Sequence, residues 1–273
     1  MKRTLAFYGK GGIGKSTVAS TLSLLFHRAG RKVLHVGCDP KHDSSYKLVA
    51  RQDVRTVMDM LLAGPETELT KDDLVITGRT GVDCIETGGP NPGVGCAGRG
   101  ITRMFEVVGR AGVLDDGYEV ITYDVLGDVV CGGFAAPIRA GYAKEVFVVA
   151  SGEIMSLFAA NNICRAVENL SRSGARLAGL IPNLRGVPGE QETLALFAEA
   201  VGVRLLHAIP RDPLIQEAEM ASQTVVEYDS ESAAAAHYRT LFEEIEAVVP
   251  DPADPTPLDD GAFERFVAGA WSR

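Results

Sequence analysis

No run of roughly 18 consecutive apolar residues occurs in the 273-residue sequence, so no helix spanning a bilayer is expected. Met1–Tyr8 leads straight into a glycine-rich loop, which leaves no secretory signal and makes a cytoplasmic chain the expectation. Positive charge is also scarce: 27 Lys and Arg against 36 Asp and Glu give a net charge of −9. That balance excludes general binding to nucleic acid or to an anionic membrane, both of which would repel the chain, while leaving room for a local basic patch. There is no Cys-x-x-Cys pair, no internal repeat and no linker that divides the chain. The five cysteines (Cys38, Cys84, Cys96, Cys131, Cys164) are an odd set, which in a cytosolic protein points to metal-binding, reactive or buried thiols rather than a disulfide framework.

What is present is enough apolar sequence, 46% of the chain, to build one large α/β domain that needs no covalent staple. Strand-like runs are expected at Thr4–Tyr8, Lys32–Gly37, Val82–Glu86, Glu119–Tyr123, Glu145–Ala150, Leu177–Ile181 and Arg204–Ala208. Helical periodicity falls between them, as at Ser16–Ala29, Glu153–Leu170 and Glu190–Ala200. The alternation predicts an α/β fold with a doubly wound, mostly parallel sheet that binds ligands at the carboxyl ends of its strands. Residues 1–248 read as one domain. Residues 249–273 form a Pro-rich acidic tail ending in a short amphipathic piece with Phe263, Phe266 and the single tryptophan, Trp271. That tail either packs on its own subunit or is partly disordered, or it serves as a subunit- or partner-contacting arm.

Gly9, Lys10, Gly11, Gly12, Ile13, Gly14, Lys15 and Ser16 fit G-x-x-x-x-G-K-S/T at every position, between an apolar strand and a helix. Glycines let backbone N–H groups converge on phosphate oxygens, and the helix start adds a favourable dipole. Lys15 is expected to reach the β- and γ-phosphates and Ser16 to ligate Mg²⁺. Lys10 points too early to serve its own γ-phosphate; the loop resembles that of the deviant Walker A P-loop ATPases, in which such a lysine crosses a dimer interface. Asp39 and Asp43 follow one strand, and Asp124 and Asp128 follow another. Each alone is an ordinary turn-capping residue. Together at one sheet edge they suit a nucleotide-sensing switch, with Asp124 holding Mg²⁺ through water and Asp128 three residues from Cys131.

Cys96 and Cys131 are wrapped in glycines and small residues just past strands, a setting that suits an accessible sulfur crowded by backbone amides. A cubane iron–sulfur cluster needs four thiolates, so two per chain suffice only if two chains share it on a two-fold axis. The rival is a monomer that adds Cys38 and Cys84. It is disfavoured because Cys38 lies beside the nucleotide loop and Cys84 inside a strand. Cys38, Cys84 and Cys164 read as buried thiols.

The segments Gly9–Thr17, Gly37–Ser44, Gly88–Gly100, Asp124–Pro137 and Ala159–Ile163 resemble the nitrogenase iron-protein family, which includes the L-type subunit of dark-operative protochlorophyllide reductase. Ile209–Asp212, Gln216–Glu219 and Thr224–Tyr228 extend the resemblance over residues 3–245. It implies a homodimer with one 4Fe–4S cluster held by Cys96 and Cys131 of both subunits and one MgATP per subunit. It further implies single-electron transfer to a separate nitrogenase-like catalytic component, with ferredoxin or flavodoxin upstream and neither nucleic acid nor membrane as partner. Carried over by residue, Lys10 acts across the interface and Lys15, Ser16 and Thr17 bind phosphate and Mg²⁺. Asp39 and Asp43 belong to a first switch, and Asp124 and Asp128 to a second. Asn183, Pro210, Asp212, Gln216 and Glu219 line the adenosine, and Arg99 contacts the partner. Gly95–Gly100 is nitrogenase-like, whereas Pro40–Ser44 and Gly81–Cys84 are closer to the protochlorophyllide-reductase type. The mixture suits the reductase of a methylthio-alkane system, with nitrogenase or tetrapyrrole reduction as alternatives. Two other classes share the fold: a partitioning-type positioning ATPase, which has no use for the glycine-embedded cysteines, and a cluster-carrying scaffold, which would need the missing Cys-x-x-Cys.

Overall fold

The computed structural model describes residues 2–49, 54–64, 69–89, 97–127, 135–250 and 253–270. Three of its strands, β2 (Val33–Cys38), β5 (Val120–Val125) and β6 (Glu145–Ala150), are buried at every position. Such runs are stable only in a sheet covered by helices on both faces. They form it with β1 (Arg3–Tyr8), β3 (Ile76–Thr77), β4 (Asp83–Glu86) and β7 (Arg176–Pro182) in the order β3-β4-β2-β5-β1-β6-β7. All neighbours are parallel except β3 and β4.

The helices are α1 (Lys15–Arg28), α2 (Val57–Ala63), α3 (Lys71–Leu74), α4 (Ala97–Arg110), α5 (Ala136–Arg139), α6 (Ile154–Asn169), α7 (Glu190–Ala200), α8 (Pro213–Met220), α9 (Val225–Tyr228), α10 (Ala233–Ala247) and α11 (Asp260–Ala270). Side chains alternate across the pleat, so the sheet divides the interior into two cores. One holds Tyr8, Val36, Tyr123 and Val148 against α4 and α6; the other holds Phe7, Phe147, Val149 and Phe26 against α1 and α10. Among the described residues, no helix is long and apolar enough to cross a membrane.

The expected strand at 204–208 does not form. Leu205 and Ile209 bridge Leu180 and Asn183 beside β7, but the partner spacing grows by one residue between the two bridges, so no continuous ladder is made. The antiparallel β3 is too short to show a period in the sequence. The described part of the acidic tail packs on its own subunit. Thr256 N–H donates to the Val201 carbonyl, and the Asn161 amide bonds both the N–H and the carbonyl of Leu258 at 2.8 Å. Phe263 and Phe266 of α11 then meet Phe158 and Phe197 edge to face, each adding about 1–3 kcal/mol of apolar burial. Trp271 lies outside the described residues.

Candidate functional site

The loop between β1 and α1 has glycine at each of its left-handed positions, and at two of them a close approach adds to the requirement. Gly9 has φ 151° and approaches Val149, whose carbonyl oxygen would stand 2.3 Å from any added Cβ. Gly14, the N-cap of α1, has φ 95°, and an added Cβ would strike the Asn183 amide. No side chain caps α1, so the first N–H groups of this 14-residue helix stay available to an anion. The geometry fits a phosphate chain. Asn183 Nδ2 donates to the Ile13 carbonyl at 2.5 Å and the Arg185 guanidinium to the Gly12 carbonyl, so residues after β7 brace the loop.

Lys15 and Asp124 are buried together, with Nζ 2.5 Å from Oδ1. Burial opposes the Asp124 charge, but Lys15 and hydrogen bonds from Lys15, Ser16 and Ser44 outweigh it and hold the carboxyl below its usual range. The Ser44 hydroxyl donates to the other oxygen at 2.5 Å. With its one proton so engaged, Ser44 accepts from His35 Nε2 at 2.8 Å, which fixes the tautomer of this wholly buried imidazole. Nδ1 then accepts within the Ser23 and Thr122 hydroxyl pair, at 2.9 and 3.1 Å. Desolvation pushes the His35 pKa down to about 4, so the ring is neutral. A polar chain thus runs from Lys15 into the sheet.

Gly37 of β2 lies between Asp124 on β5 and Glu86 on β4 in register. Glu86 is buried and accepts the Ser45 N–H at 2.6 Å, and a Cβ at Gly37 would stand 2.0 Å from its other oxygen. Asp39 is also buried; its pKa is raised by desolvation, partly offset by the Lys41 N–H at 2.8 Å. Asp43 is half-buried nearby. Lys10 is half-buried and has no ion-pair partner in this chain among the described residues.

Beyond the loop lies a cavity of about 560 Å³ whose wall includes Gly12, Gly14, Thr17, Asn183, Pro210, Asp212, Gln216 and Glu219. The five residues singled out for adenosine therefore share one cavity with the start of α1. Sequence reasoning missed Glu190. Its buried carboxylate accepts the N–H groups of Gly152, Arg185, Gly186 and Val187 and so shapes this wall. It also missed Lys47, Glu86 and His35; the only local signal was a histidine inside an apolar strand run.

Cys96, Cys131 and Asp128 lie outside the described residues. The chain leads into their segments from β4 and β5, the two neighbours of β2, at the carboxyl edge of the sheet. Arg99 is exposed in the first turn of α4, which starts directly after Cys96. The other three cysteines are buried thiols. Cys38 belongs to one core and Cys84 to the other, on opposite faces of the sheet, so they cannot join one cluster. Burial pushes the thiols of Cys38 and Cys84 up, and that of Cys164 to about 12, which suits packing rather than ligation. The donor set left for a cluster is the glycine-embedded pair.

The model of the family described as "4Fe-4S iron sulfur cluster binding proteins, NifH/frxC family" matches residues 3–269. The chain belongs to this family. It is 47% identical over 264 residues to the nitrogenase iron protein of Methanospirillum hungatei, covering 94% of each chain. To nitrogenase iron protein 1 of Methanothermobacter thermautotrophicus it is 45% identical over 266 residues, covering 95% of this chain and 97% of that one. Among solved structures, the septum site-determining protein MinD of Pyrococcus horikoshii, complexed with Mg-ADP, superposes with a TM-score of 0.71 at 24% identity, covering 90% of this chain and 96% of that one. A ParA family ATPase of Chlorobium tepidum gives 0.68 at 19%, covering 90% and 98%. These likenesses show the P-loop ATPase fold. As a member of the NifH/frxC family, the protein takes a 4Fe–4S cluster and MgATP as cofactors.

Proposed function

We propose that the protein is the ATP-dependent reductase component of a nitrogenase-like system, a homodimer that delivers single low-potential electrons to a separate catalytic component. The observation that carries this reading is the common sheet edge. The Lys15–Asp124 pair sits there, and the segments bearing Cys96 and Cys131 continue from the flanking strands β4 and β5. Lys15, Ser16 and Thr17 would hold the phosphates and Mg²⁺, Asp124 would serve the Mg²⁺ site through water, and Asp128 would position a water for hydrolysis. Lys10, without an ion-pair partner in its own chain among the described residues, reaches the nucleotide of the partner subunit. Asn183, Pro210, Asp212, Gln216 and Glu219 receive the adenosine. Cys96 and Cys131 of both subunits hold the cluster, which supplies one-electron redox chemistry at low potential. Asp39 and Asp43 follow β2 and Asp128 precedes Cys131, so loss of the γ-phosphate moves switch and ligand segments together. Arg99 faces the catalytic component, and a ferredoxin or flavodoxin reloads the dimer. The mixed character of Pro40–Ser44, Gly81–Cys84 and Gly95–Gly100 supports a methylthio-alkane reductase; docking at the Arg99 face decides between it and nitrogenase or tetrapyrrole systems.

The test is anaerobic purification with iron analysis and electron paramagnetic resonance. About four irons per dimer and a reduced-cluster signal are expected, both lost in Cys96→Ser and in Cys131→Ser. An iron-free dimer, or ATP-dependent cosedimentation with liposomes or DNA, overturns the reading in favour of a positioning ATPase.

A further inference from the structure

Lys47 is a charged residue only 2% exposed, in the segment that follows Asp39–Ser45, and no motif in the sequence singles it out. Its Nζ lies 3.1 Å from Glu219 Oε1 and 3.3 Å from Thr17 Oγ1, and it sits over the Tyr46 ring 4.4 Å from the centroid. The Thr17 hydroxyl in turn donates to the same Glu219 oxygen. Three groups from α1, α8 and the segment after β2 therefore close one triangle. Thr17 and Glu219 face the cavity, and Lys47 stands behind them. Arg79 holds the Lys47 backbone, donating to its carbonyl at 2.6 Å and to that of Ser222 at 2.7 Å while pairing with Glu227.

A buried ammonium is costly to desolvate, and an apolar replacement of the whole pair is often no less stable, so stability alone does not account for Lys47. The use here is electrostatic. Glu219 shares its cavity with Asp212, and a polyphosphate bound at the start of α1 adds further negative charge. Without a fixed cation, Glu219 would be repelled from the site. We infer that Lys47 is a positioning residue of the nucleotide site. It keeps Glu219 aimed at the nucleoside end of ATP, and ties that grip to the segment that follows Asp39–Ser45. The inference rests on the assignment of the cavity to the nucleoside.

The test is calorimetric titration of the purified protein with MgATP and with magnesium tripolyphosphate, which has no nucleoside. Lys47→Met is expected to weaken MgATP at least about tenfold while tripolyphosphate stays within about twofold. Lys47→Arg is expected to recover part of the loss. Lys47→Met/Glu219→Gln, which leaves no lone buried charge and covers failure of the single variant to fold, is expected to match Glu219→Gln alone. MgATP affinity unchanged in Lys47→Met, equal losses of both ligands, or a double variant additively worse than Glu219→Gln would each overturn the role of Lys47. A wild-type protein that binds tripolyphosphate as tightly as MgATP, with Gln216→Ala neutral, would instead overturn the cavity assignment and the inference with it.

Discussion

Glu86 closes β4 with one oxygen on the Ser45 N–H and the other, Oε2, buried with no hydrogen-bond partner among the described residues. Burial pushes its pKa from 4.5 up to about 8, against the bonds from Ser45, with Asp124 and Asp43 adding to the rise. The folded chain therefore keeps a proton that the unfolded chain releases, and stability falls as pH rises from about 4.5 to about 8. His35 acts in the opposite sense: with its pKa lowered from 6.5 to about 4, it costs stability as pH falls through that window. Above pH 6.5 the Glu86 contribution stands alone of the two. Glu86→Gln, which cannot ionise, is expected to remove a stability loss of about 2 kcal/mol between pH 6.5 and 8. Urea midpoints at those two pH values check this, and parallel losses in wild type and variant would refute it. The phosphate loop was legible because its spacing is local. Glu86, His35 and Lys47 were not, because each is defined by partners on other strands or helices, Lys47 by a carboxylate on α8.

Glu190 acts at the scale of an element. At the first position of α7 it satisfies backbone donors from two loops, one after β6 and one after β7, and Gly152 comes so close that a Cβ there would touch it at 2.8 Å. The loop it holds carries Asn183 and Arg185, which brace the phosphate loop. Glu190→Ala leaves those N–H groups without their acceptor and is expected to cost about 3–5 kcal/mol, since water can satisfy only the groups that reach solvent. Amide exchange at Arg185, Gly186 and Val187 should speed up before the sheet opens, and MgATP should bind more weakly. Unchanged protection at those amides would show that the loop holds itself. Elements were read well from sequence where period and burial agree, as in α7 and β6, which match their expected bounds. The miss at 204–208 came from a ladder interrupted by one residue beside β7, which no local pattern reveals.

At the scale of the whole molecule, the odd number of cysteines resolves by location. Three are packed inside one chain on both faces of the sheet, and two are left in glycine-rich segments, so the four thiolates of a cubane cluster would be reached by pairing two subunits. In the proposed dimer the same pairing would give Lys10 its use, and this separates it from Lys15. Lys15 neutralises a buried carboxylate of its own chain, so Lys15→Gln is expected to lower stability as well as the proposed phosphate binding. Lys10 is half-buried with no ion-pair partner in its own chain among the described residues, so Lys10→Ala should change the unfolding free energy by no more than about 0.5 kcal/mol. If it acts across the interface, however, it is needed for one subunit's nucleotide to move the other's switch. The rate at which bipyridyl strips iron from the reduced protein reports that movement. MgATP should accelerate stripping in the wild type and leave Lys10→Ala near its nucleotide-free rate, although the variant still binds MgATP. A variant that keeps its stability and is still accelerated by MgATP would place the coupling within a single chain and remove Lys10 from it.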